Sequence, residues 1–433
     1  MKSDVLSKRI AIPFRTGKLV LLLYIFFSFV PQLDLSHAST ASREKNWHKD
    51  LKALKKQLPG LHVNPFFKIT RDEFDRAVTN LDDSITSFQD HEIIVGITRI
   101  VAMIGDAHTR LDWEQSATSF RAYPLRLYWF SDGLYVTATT MNYGRALGTK
   151  LIKIGDTNID QLQTLVSPLI PHDNQWWLRQ RIPDYLVVPE ILNAIKVLPD
   201  MEKGSFVFED GEGNRFALDF TPVQRDSTID WLQWSDPTRA DGPLYLKNAS
   251  LFYWFDYLAD SRTLYFKYNV AADMQTLPVD RFAEQLSSFA ATHPVDRFII
   301  DMRDNGGGDS SILSRLLAGL QSRSDLNQRG HFFVIIGRKT FSSAVINAID
   351  LKKQTGAIFV GEPTGGKPNS YGEVRTFFLP KSGLAIRYST KFFSLLADDP
   401  PSFNPDIIVQ TSSTDYASGR DPALEAILAY KEE

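Results

Sequence analysis

Between Trp47 and about Arg110 apolar residues recur at intervals of three and four (Leu51, Leu54, Leu58; Phe74, Val78, Leu81; Ile93, Ile97, Ile100, Met103), which predicts a helical segment. The string from Ile104 to Leu111 carries Gly105 and short polar residues, so the chain turns out of the last helix there. From about Arg121 to Val223 the pattern becomes strand-like. Leu125 to Phe130 and Leu134 to Ala138 flank a Ser131-Asp132-Gly133 hairpin turn, and Lys150 to Ile154 precedes a helix through Ile159, Leu162 and Leu165. Phe206-Val207-Phe208 and Phe216-Ala217-Leu218 flank a second turn at Asp210 to Asn214. This reads as one small β-rich module inserted between two other pieces.

Beyond a polar link at about Gln224 to Arg239, a strand, turn, helix, strand unit repeats. Arg297 to Met302, Phe332 to Ile336 and Ala357 to Val360 are near-continuous apolar runs of the kind buried in parallel sheets. Between them lie a helix from Ser310 to Gln321 with Leu313, Leu316, Leu317 and Leu320 inward, and another carrying Val345, Ile346 and Ile349. The alternation predicts an α/β region with a parallel sheet and right-handed crossovers.

Composition narrows the class. At 433 residues the chain exceeds what one core normally organises, and 43% hydrophobic with 23% charged residues is ordinary for a globular protein. Five basic residues (Lys2, Lys8, Arg9, Arg15, Lys18) precede an uncharged run from Leu19 to Val30, and Ser36-His37-Ala38 offers small residues for cleavage. Residues 1–38 therefore read as a secretory signal, since twelve or so apolar residues fall short of the roughly twenty that span a bilayer. Without them 43 basic residues face 49 acidic ones, a formal charge of −6, which argues against nucleic acid as a partner. The absence of cysteine excludes disulfides, thiolate metal sites and cysteine nucleophiles. There is no His-Glu-x-x-His string and no Walker loop, and Asp210 to Asn214 is too short for a calcium loop, so neither a metal nor another cofactor is expected.

Three loops of the last region could carry chemistry, because unpaired backbone N–H groups collect where parallel strands end and helices begin. Gly306-Gly307-Gly308 can point amides at an oxyanion, or can be a plain turn. Ser342 stands at a strand-to-helix junction with the Ser343 amide beside it; its bland reading is a helix N-cap. A serine nucleophile needs a base. Lys367 lies 25 residues after Ser342, one helix and one strand later, and His108 follows Gly105-Asp106 in a turn. Gly-x-Ser-x-Gly is absent around Ser342, which speaks against an esterase-type α/β-hydrolase.

Five strings in order, namely Gly105 to Thr109, Asp301 to Gly308, Thr340 to Ala344, Val360 to Lys367 and Phe403 to Asp406, resemble the tail-specific (C-terminal processing) peptidases and the tricorn core protease. That family includes members similar to interphotoreceptor retinoid-binding protein. The resemblance runs from Trp47 to Ala429. It implies a crotonase-like (ClpP-like) core of parallel β/α units, an N-terminal helical segment at 39–118, a PDZ-like β-rich module at 119–223 and a catalytic core at 224–433. It further implies an exported serine peptidase acting on polypeptides: Ser342 as nucleophile, His108 or Lys367 as base according to branch, and the amides of Gly307 and Ser343 as the oxyanion hole. Val345 stands where the tail-specific branch has a glutamate, and Ala107 where the tricorn branch has a serine. No residue orienting His108 is identifiable; Asp398, Asp399 and Glu373 are candidates. The same core also holds apolar ligands without catalysis, so a carrier of apolar ligands or peptides is the alternative. Self-association is left open.

Overall fold

The computed structural model describes residues 40–115, 120–235, 242–317 and 323–431. The predicted signal segment and the end of the helix expected over 310–321 lie outside the described residues. Three helices open the described residues: α1 (Thr40–Leu61), α2 (Arg71–Asp83) and α3 (Asp90–Ala102). The Thr70 hydroxyl accepts from Glu73 N while the Glu73 carboxylate accepts from Thr70 N, a reciprocal cap that sets where α2 starts. The apolar stripe is buried as expected from Trp47 through Ile100, while Met103 is half-buried.

The next segment contributes β1 (Arg110–Leu111), β2 (Arg121–Ala122), β3 (Leu125–Phe130), β4 (Gly133–Thr139), β5 (Lys150–Ile154) and β6 (Thr157–Asn158). Helices α4 (Ile159–Val166), α5 (Gln175–Leu186) and α6 (Pro189–Ala194) follow, then β7 (Gly204–Glu209), β8 (Arg215–Phe220), β9 (Val223–Gln224) and β10 (Leu232–Gln233). The sheet runs β10-β4-β5-β7-β8, with β3 also on β4 and β6 on β5. Both expected hairpins are present; Asp210 accepts the Glu212 and Asn214 amides to close the second. The stretch read as a polar link is part of this sheet, because Leu232 and Gln233 pair with Thr139 and Ala138 on β4. Helices α5 and α6 were not expected.

The last region comprises β11 (Tyr253–Leu258), β12 (Thr263–Tyr268), α7 (Val279–Thr292), β13 (Arg297–Asp301), α8 (Ser311–Leu317), β14 (Phe332–Ile336), α9 (Ser343–Gln354) and β15 (Ile358–Gly361). It ends with β16 (Ser370–Phe378), β17 (Ala385–Phe393), β18 (Ile407–Ile408), α10 (Ser413–Ala417) and α11 (Pro422–Ala429). The sheet order is β11-β12-β13-β14-β15-β18, parallel from β12 onward with β11 antiparallel at one edge. Alternate residues face opposite layers. Phe298, Ile300, Val334 and Ile336 pack with α7, α8 and α9, whereas Ile299, Phe333 and Ile335 pack with α11. That two-sided burial, about 1.5–3 kcal/mol for each large side chain, explains the unbroken apolar runs.

The first helices and the final hairpin close on one another. Strand β1 pairs with β17 in the small sheet β1-β17-β16, and Phe377, Ile386 and Tyr388 join the core built by α1, α2 and α3. Buried Asp50 on α1 accepts the Lys381 and Ser382 amides at 2.7 and 2.8 Å and so pins the hairpin's tip. Two residues fasten the β-rich sheet and its helices to the parallel sheet. Buried Arg338 donates to Trp129 O at 2.6 Å, with its Nε 3.1 Å from Glu362 and its guanidinium over the Tyr128 ring. Asn174 accepts the Trp176 and Trp177 amides, capping α5, and donates to the carbonyls of Thr364, Gly365 and Pro401. Among the described residues no helix is long and apolar enough to cross a membrane.

Candidate active site

Ser342 precedes α9 with φ 53° and ψ −128°, a conformation that costs a residue with a Cβ about 1–3 kcal/mol. Its carbonyl receives the Val345 amide at 2.9 Å, but its hydroxyl makes no capping bond, so the ordinary N-cap reading does not hold. The surroundings enforce the strain. Phe341 N donates to Asn305 O at 3.0 Å, Gly366 N to Thr340 O at 3.1 Å, and the Thr340 hydroxyl to Met302 O at 2.9 Å. The Phe341 ring is held between Trp177, at 4.2 Å between centroids, and His108, at 4.5 Å. The Ser342 turn and the His108 imidazole are thus set by one aromatic stack.

The glycine loop lies against this turn. Gly307 has φ 103°, and a Cβ there would sit 2.7 Å from Ser342 Cβ, 2.9 Å from Phe341 O and 3.0 Å from Ser343 N. Its amide, expected to face an oxyanion, instead donates to the Asn305 side chain at 2.9 Å. Gly308, one residue on, lines the cleft beside Ser342, and the Ser343 hydroxyl donates to its carbonyl at 2.5 Å. Neither the Gly308 nor the Ser343 amide has a partner among the described residues.

His108 is only 8% exposed, and neither of its ring nitrogens has a hydrogen-bond partner among the described residues. Its backbone N–H donates to Asp106 Oδ1 at 2.9 Å, and the same oxygen lies 3.8 Å from Nδ1, a Coulombic contact beyond hydrogen-bond reach. The other oxygen of fully buried Asp106 accepts from Ser389 Oγ at 2.5 Å, Thr109 Oγ1 at 2.6 Å and His62 Nε2 at 3.1 Å. Burial alone would push this carboxyl up, but the contacts to His108, His62 and Ser389 outweigh it and hold Asp106 well below the usual carboxylate range. Nearby Asp173 goes the other way: burial, then repulsion from Asp106, pushes it up to about 6, and its Oδ2 has no partner among the described residues.

Lys367 also lines the cleft, but its Nζ donates to Asp399 at 2.6 Å. The structure thus brings Ser342, Ser343, His108 and Lys367 to one hollow of about 350 Å³, with Val345, Ile346, Val374 and Phe393 forming an apolar wall. Of the carboxylates considered from the sequence as partners of His108, Asp399 holds Lys367 and Asp398 is exposed, whereas Glu373 lines the same hollow with its side chain 57% exposed and 3.8 Å from Lys391 Nζ. Asp106, Asp173 and Trp177 were missed. Asp106 stood in the quoted Gly105 to Thr109 string without a role, and the other two had no signal.

No family model matches the chain, and no curated protein matches it. Solved structures do. Mature CPAF complexed with lactacystin is similar with a TM-score of 0.62 at 12% identity, covering 89% of this chain and 97% of that one. Mature CPAF alone gives 0.62 at 13% identity, over 89% and 96% of the two chains. The photosystem II D1 C-terminal processing protease gives 0.38 at 13% identity, over 90% and 96%. The chain therefore has a mixed α/β fold held in common with CPAF.

Proposed function

We propose that the protein is an exported serine peptidase that cleaves polypeptides by acyl transfer to water. One observation carries the reading: a strained serine whose hydroxyl does no capping shares a cleft with a buried imidazole that has both nitrogens unpartnered. Ser342 Oγ attacks the peptide carbonyl as its proton passes to His108, and His108 gives that proton to the departing amine. Water then attacks the acyl-Ser342 ester by the same route. The amides of Ser343 and Gly308 receive the oxyanion, because the Gly307 amide is already bonded to Asn305. His108 is the base in this scheme. Lys367 is drawn to the Asp399 carboxylate at 2.6 Å and acts as a rim group.

The peptide bond as substrate rests on the five strings that resemble the tail-specific and tricorn peptidases, and export on residues 1–38. The test is hydrolysis of an unfolded polypeptide by the wild type and by Ser342→Ala. The wild type cleaves, and the variant folds and does not; equal activity in the two removes Ser342 from the chemistry. Protein recovered after export should begin near Ser39, and a retained 1–38 segment would contradict the signal assignment.

A further inference from the structure

We infer that Asp106 is the residue that positions His108 and balances the positive charge it acquires during turnover; this rests on the peptidase reading given above. The two oxygens of Asp106 are unequally occupied. Among the described residues Oδ2 accepts three side-chain donors, the His62 imidazole and the hydroxyls of Thr109 and Ser389, whereas Oδ1 accepts only the His108 backbone amide. Three donors on Oδ2 hold the carboxylate in place, and Oδ1, with one donor, keeps acceptor capacity 3.8 Å from His108 Nδ1. A small rotation of the ring closes that gap, as separations in unliganded sites commonly shorten when substrate binds.

The donors are themselves held. His62 Nδ1 accepts the Asn64 amide at 3.0 Å, so the proton of neutral His62 resides on Nε2, facing Asp106. Ser389 belongs to β17, which pairs with β1, the strand that begins two residues after His108, so the position of the carboxylate is set by a sheet rather than by the loop alone. With Nδ1 turned to Asp106, Nε2 is the nitrogen left for the Ser342 proton. When the O–H bond of Ser342 breaks and the Nε2–H bond forms, the new imidazolium lies beside a buried anion. When the leaving amine takes that proton, His108 returns to neutrality with Nδ1–H still directed at Oδ1. Asp106 exchanges no proton at any stage.

The experiment compares wild type, Ser342→Ala and Asp106→Asn with a fluorogenic peptide. Asp106→Asn keeps the volume and removes the charge. The inference expects kcat to fall about 10²- to 10⁴-fold with KM nearly unchanged, and the acidic limb of the kcat/KM profile to move to lower pH. A merely structural role would move neither the limb nor the balance between kcat and KM. A folded Asp106→Asn with wild-type kcat and profile overturns the inference while a dead Ser342→Ala keeps the nucleophile; an active Ser342→Ala overturns the peptidase reading instead. Should Asp106→Asn not fold, wild-type protein phosphonylated on Ser342 decides. Proton NMR is expected to show a slowly exchanging downfield resonance coupled to ¹⁵Nδ1 of His108, and its absence from a fully labelled sample overturns the assignment.

Discussion

Adding one methyl group to Gly307, and separately to Gly306, distinguishes a packed catalytic loop from a flexible glycine turn. At Gly307 the new Cβ meets Ser342 Cβ at 2.7 Å and the backbone of Phe341 and Ser343 at 2.9 and 3.0 Å, so no flexible side chain can swing clear. The φ of 103° adds about 1–3 kcal/mol of backbone strain, and overpacking adds about 1–3 kcal/mol more. Relief requires the Ser342 turn to move. A displacement of about 1 Å between nucleophile and base lowers turnover about 10²-fold. At Gly306 a Cβ meets nothing within 4 Å, so Ala should change stability by less than about 0.5 kcal/mol and leave the rate near wild type. Thermal unfolding and peptide hydrolysis of both variants provide the readout. Gly307→Ala at the wild-type rate, or Gly306→Ala equally impaired, would refute the packing argument.

Ser342→Gly should be inactive yet more stable by about 1 kcal/mol, since glycine accepts φ 53° without strain; a lower unfolding temperature would show the turn to be unstrained. For Asp173 the folded form binds its proton more tightly than the unfolded chain does, so stability present below the unstrained value of 3.8 is lost as pH rises through about 6. Asp173→Asn should therefore gain up to about 3 kcal/mol above pH 6 and nothing below pH 3.8, and a pH-independent difference in unfolding temperature would count against the burial argument. Asn174→Ala should cost about 2–4 kcal/mol by removing a helix cap and stranding three carbonyls. Asn174→Asp, which keeps the acceptor but loses the donor, should be no more stable than Asn174→Ala.

The parallel sheet was legible because its strands are buried on both faces and leave unbroken apolar runs such as Phe332 to Ile336. The Ser342 turn was legible because a strand, a short polar stretch and a helix follow one another without a gap. Helix α5 was not, since Pro183 and a mixture of Trp, Arg and Gln blur its period, and the placement of Trp177 against Phe341 is purely tertiary. The contacts that hold Asp106 and Lys367 come from partners distant in sequence. Ser389 lies 283 residues from Asp106, and Asp399 lies 32 from Lys367, so local pattern shows a turn aspartate and a loop lysine and nothing more. The glycine loop was found, but which amide it turns to the cleft was not, because the Asn305 side chain decides that by taking the Gly307 N–H.

The most direct measurement is covalent labelling by a fluorophosphonate with mass-spectrometric mapping of the modified residue, run on wild type, His108→Ala and Lys367→Ala. The wild type should carry one adduct on Ser342, Lys367→Ala should label at a similar rate, and His108→Ala should label at least about 10²-fold more slowly. An adduct on another residue, or rapid labelling that survives loss of His108 and disappears with Lys367, would contradict the pairing of Ser342 with His108.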